Sequence, residues 1–176
     1  MPRQPVTRLF LAALITASLT LPALAEPTNP NERSSLYGET RSWLVEALQD
    51  ESGFSGCRAT IPLQPAGPLL LERTFDAAEG WTMYVPSPLG PDEKGSTTAP
   101  GLFIVDGEEL PVTYELLGHG WAAQPLTEVM RQRLMDGNYF GAAVDGDEAR
   151  EWILNGSTAA MDLAQECYER QGAVWR

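Results

Sequence analysis

Residues 57–63, CRATIPL, set Cys57, Ala59, Ile61 and Leu63 at every second position, and this two-residue period predicts a half-buried β-strand with Pro62 near its end. The preceding run 41–48, RSWLVEAL, puts Trp43, Val45 and Ala47 on one alternating face, although Glu46 and Leu48 leave a helix open. The stretch DESGFSG (50–56) breaks that run with glycine and serine, so the two segments read as a hairpin.

Working outward, the same logic yields further strands. Leu69–Leu71 and Trp81–Val85 flank a turn at 77–80 and form a second hairpin. Leu102–Val105 leads through the turn signal Asp106-Gly107 into Leu110–Leu116, and Gly118–Ala123 adds another extended segment. Two helices follow. In PLTEVMRQRLMDG (125–137), Leu126, Val129, Met130 and Leu134 share a face and Gly137 stands at the C-terminal cap; in STAAMDLAQECYERQ (157–171), Ser157 is the N-cap and Ala160, Leu163, Ala164 and Cys167 form the inward stripe. Between them NYFGAAV (138–144) and EAREWIL (148–154) read as short strands. Many short strands with two late helices predict a mainly β fold with peripheral helices (α+β), its core an antiparallel sandwich or barrel.

The chain opens with Arg3 and Arg8, an apolar run from Leu9 to Leu21, and Ala23-Leu24-Ala25, which together read as a signal peptide over 1–25 cleaved after Ala25. The apolar run is about 13 residues, short of the roughly 20 that span a bilayer, so the expectation is export without a transmembrane anchor. Residues 26–35, polar and with two prolines, read as a flexible arm, and 36–176 as a single domain. The whole chain carries 12 basic and 24 acidic residues; with Arg3 and Arg8 removed, 10 basic residues face 24 acidic ones, a net −14. Such a balance argues against nucleic acid and anionic lipid as partners and suits solubility or a basic partner.

Cys57 and Cys167 are the only cysteines, and in an oxidising compartment they are expected to pair. With His119 as the only histidine, zinc has too few soft ligands, and no cofactor is expected. His119, between Gly118 and Gly120, reads as a surface-turn residue; a periplasmic hydrolase would have to use it or a carboxylate pair drawn from Glu108, Glu109, Asp145, Asp147 and Glu148. Gly53-Phe54-Ser55-Gly56-Cys57 departs from a nucleophile elbow because Cys57 replaces its second glycine and a strand follows. Trp43, Trp81, Trp121 and Trp152 are expected in the core, with Trp175 near the terminus. Loop 86–100, with Leu89, Asp92, Glu93 and Lys94, is the expected interaction loop.

Trp43 fourteen residues ahead of Cys57-Arg58-Ala59, the mid-chain Leu102-Phe103-Ile104-Val105-Asp106-Gly107, and Ile153-Leu154-Asn155-Gly156-Ser157-Thr158-Ala159-Ala160 running into Cys167 resemble the invasion-associated locus B family of bacterial periplasmic proteins. Family members often carry further cysteines that this chain lacks. The resemblance implies a small β-rich periplasmic or envelope protein and brings no catalytic residue with it. The expected function is therefore noncatalytic binding of an envelope partner, with a hydrolase, or an acidic inhibitor of a basic cell-wall enzyme, as alternatives.

Overall fold

In the computed structural model, residues 32–75, 80–89 and 97–173 are described. Residues 1–25, read as a signal peptide, residues 26–31 of the expected arm, and Asp92, Glu93, Lys94 and Trp175 lie outside them. Ten strands are present: β1 (Arg33–Thr40), β2 (Trp43–Asp50), β3 (Gly53–Ile61), β4 (Leu69–Thr74), β5 (Thr82–Pro86), β6 (Thr98–Val105), β7 (Glu108–Gly118), β8 (Trp121–Pro125), β9 (Tyr139–Val144) and β10 (Arg150–Ile153). Two helices, α1 (Glu128–Asp136) and α2 (Ser157–Glu169), complete the set. Every strand pairing is antiparallel, and the strands form one sheet in the order β1-β2-β3-β4-β5-β8-β7-β6-β9-β10. The mainly β class with peripheral helices is the observed one. β1 opens at Arg33, slightly ahead of the Leu36 start expected for ordered chain.

Cys57, Ala59 and Ile61 are buried as their alternation requires, and β2 presents Trp43, Val45 and Ala47 to the same core, which settles the strand reading of 41–48. Leu63 is 90% exposed, because β3 ends at Ile61 and Pro62 cannot donate to a ladder. One core cluster joins residues of β2–β5 with Phe103, Tyr114, Phe140 and Trp152, so the sheet folds over on itself in a sandwich-like manner. Trp43, Trp81, Trp121 and Trp152 are all buried. Trp152 stacks on Phe140 at 5.5 Å and donates its Nε1–H to the Gly67 carbonyl at 2.8 Å, which satisfies the polar end of a buried ring.

Helix α2 packs over β1–β4, and the Cys57–Cys167 disulfide, fully buried, joins its last turns to β3. Its N-cap is Gly156, at φ +92°, rather than Ser157. Ser157 is instead the first helical residue, and its hydroxyl and that of Thr158 donate to the Met135 carbonyl at 3.5 and 2.6 Å, tying the start of α2 to the end of α1. In α1, Thr127 caps the Met130 N–H at 3.3 Å, and Met130 and Leu134 face the core. Val129 was expected beside them but is 61% exposed: a nine-residue helix buries a narrow stripe, and Val129 lies about 100° around from Met130. Gly137 ends α1 with φ −77°, so left-handed backbone is not its reason; a Cβ there would meet the Val105 side chain at 2.5 Å.

The sheet face opposite the disulfide carries a buried ion pair. Arg58 alternates away from Cys57 and Ala59, lies 1% exposed, and donates from Nε to Glu72, its cross-strand partner on β4, at 2.6 Å and from Nη2 to Glu32 at 2.8 Å. Burial pushes the Glu72 carboxyl up while Arg58 pulls it down, and burial first, then the neighbouring Glu72 charge, raises the Tyr84 hydroxyl.

Candidate binding cleft

A cleft of about 660 Å³ opens where β9 and β10 meet the start of α2. Its walls are the Asp106–Gly107 turn between β6 and β7, Met135 in the last turn of α1 with Gly137 and Asn138 just past it, the strand residues Tyr139, Glu151 and Ile153, and residues 154–158. Tyr139 and Ile153 are cross-strand partners, and both are more than half exposed, so the cleft displays an aromatic and aliphatic pair to solvent. They are exposed because Phe140 and Trp152, their alternating neighbours, take the core side. A second cavity of about 420 Å³ shares Asp106 and Gly137 and adds Val129 and Arg133, the latter 3.3 Å from Glu108.

One wall is held rigidly. The Asp106 carboxylate accepts from the Asn138 and Tyr139 main-chain N–H groups at 3.1 and 2.9 Å and from Asn138 Nδ2 at 3.3 Å, and these bonds hold its carboxyl below the usual range. The Asp106 N–H returns a bond to the Tyr139 carbonyl at 3.1 Å. Opposite, the Asn155 side chain accepts from Arg41, which fixes the β1–β2 turn against the start of α2. Carboxylates on the rim come from Asp106 and Glu151, and Met135, Tyr139, Ile153 and Leu154 supply apolar surface.

The residues singled out in the sequence lie elsewhere. His119 is exposed at φ +53° in the β7–β8 turn, and its ring bonds no described residue. Glu108 and Glu109 are exposed on the β6–β7 hairpin, and Asp145, Asp147 and Glu148 are exposed after β9. Ser55 lies within β3, away from any strand-to-helix turn. Among the described residues no three His, Cys, Asp or Glu side chains gather as a metal-binding group, and no helix is long and apolar enough to cross a membrane. Leu89, taken as part of an interaction loop, is partly buried against the core.

No protein-family model, curated protein or solved structure matches the chain. The cleft residues Tyr139, Glu151 and Ile153 went unmarked in the sequence, where they are the solvent-side members of two short strands. Their alternation with Phe140 and Trp152 was the available signal, but the adjacency of β9, β10 and the α1 and α2 termini had to be seen.

Proposed function

We propose that the protein is exported, cleaved after Ala25, and acts by binding a basic protein partner of the cell envelope; the resemblance to the invasion-associated locus B family supports the envelope location, and the acidic charge supports the basic partner. The observation that carries the reading is the cleft, where an exposed Tyr139–Ile153 pair lies beside the Asp106 and Glu151 carboxylates. The buried Cys57–Cys167 bridge supports an oxidising compartment. The acidic chain, net −12 with its leader, supports attraction of a basic surface.

The test is affinity capture of the tagged mature protein from periplasm under mild cross-linking, wild type against Tyr139→Ala/Ile153→Ala. Both positions are surface ones, where truncation costs roughly 0.5 kcal/mol or less in stability, whereas an aromatic anchor of an interface often costs more than 2 kcal/mol in binding. The double variant is expected to recover at least tenfold less of a stoichiometric partner. Equal recovery by the two proteins contradicts the cleft assignment, and capture of nothing by either contradicts the binding reading.

A further inference from the structure

β10 forms one border of the sheet, and its hydrogen-bonding register fixes which way its main chain faces. The Leu154 N–H donates to the Asn138 carbonyl at 2.8 Å, and the pairs Trp152↔Phe140 and Arg150↔Ala142 continue that register at every second residue. In an antiparallel ladder the residues between such pairs direct their N–H and C=O groups away from the partner strand. Glu151 and Ile153 are those residues. No described group bonds their main chain, and both line the 660 Å³ cleft. Free edge groups of this kind are templates for strand addition, and proteins that do not use them cover them.

We propose that the envelope partner of the reading above, on which this inference rests, docks as an extended basic segment that pairs in register with β10. Its main chain takes up the outward groups of Glu151 and Ile153. A Lys or Arg side chain then stands beside the Glu151 carboxylate with Asp106 across the cleft, and an apolar side chain covers Ile153 and Tyr139. Charge selects the occupant: a second copy of the mature chain, itself net −14, meets like charge at the same edge, whereas a basic strand meets opposite charge.

The probe is a fluorescein-labelled hexapeptide, Lys-Thr-Val-Thr-Lys-Thr, whose lysines and valine share one face of a strand as Glu151 and Ile153 do, titrated into the oxidised mature protein at low salt and followed by anisotropy. Three comparisons decide the outcome. A version N-methylated at every residue cannot supply the edge hydrogen bonds from either side, and Glu-Thr-Val-Thr-Glu-Thr reverses the charge. Ile153→Pro removes one outward N–H while leaving the β9–β10 bonds, because that N–H takes no part in them. Each change is expected to weaken binding at least tenfold, and the wild-type affinity to fall as salt rises. Equal binding of the methylated peptide to the wild-type protein overturns the strand pairing whether or not Ile153→Pro folds, and equal binding of the acidic peptide overturns the charge selection. A wild-type dimer that Ile153→Pro dissociates assigns the edge to a second copy and also overturns the proposal. If affinity capture still yields a partner that Ile153→Pro retains in full, the binding reading stands and the edge docking falls.

Discussion

Loss of the Cys57–Cys167 bridge, by Cys57→Ala/Cys167→Ala, is expected to lower the unfolding free energy by up to about 4–5 kcal/mol. The two residues are 110 apart in sequence, so the bridge closes most of the domain into one loop, and the chain-entropy model gives about 4.7 kcal/mol for a loop of about 100 residues. Both cysteines are fully buried between β3 and α2, and alanine leaves a small apolar gap that adds to the cost. For a domain of this size 1 kcal/mol corresponds to roughly 2–4 °C in Tm, so a fall on the order of 10 °C is expected by calorimetry. A shift of less than about 2 °C on that scale would mean that α2 is held by packing alone.

Arg58→Met is expected to cost about 3–5 kcal/mol at neutral pH, because it leaves the Glu72 carboxylate buried without its cation. The sign of the pH dependence follows from Glu72. Its folded pKa is already raised by burial, and removing Arg58 raises it further, so its contribution is favourable at pH below the unfolded value and is lost as pH climbs through the folded one. The Arg58→Met penalty should therefore shrink as pH falls through the raised folded values toward the ordinary carboxylate range, and be largely gone once that range is reached. Glu72→Leu is expected to cost a similar amount with no relief in acid, because the buried Arg58 guanidinium stays charged across the whole pH range. The double variant Arg58→Met/Glu72→Leu should recover most of the stability, as apolar replacement of a whole buried pair often does. Denaturant midpoints of the three variants across pH check this, and parallel, pH-independent losses for both single variants would contradict the linkage.

The strand content was legible where one face is buried and the other wet. CRATIPL and its hairpin partner carried a clean two-residue period, and Asp106-Gly107 announced its turn. The disulfide was expected because the chain has two cysteines and its first 25 residues read as an export signal. Arg58 was hidden because its burial depends on Glu72, fifteen residues past Cys57 and on another strand, and no local pattern encodes that meeting. Ser157 looked like a cap because its residue type favours one, yet its hydroxyl reaches the Met135 carbonyl of the neighbouring helix. The cleft was the least legible feature, since it is assembled where the β6–β7 turn, β9, β10 and both helix ends converge, and each piece alone reads as surface.

Binding of an envelope partner in the cleft can be caught in the cell by placing a photo-activatable cross-linker at position 139 and, as a control, at the exposed Leu36 on β1, at the opposite border of the sheet, then irradiating whole cells. A single protein adduct that forms from position 139 and is absent from position 36 is the expected result. No adduct from position 139, or the same adducts from both positions, would contradict the account.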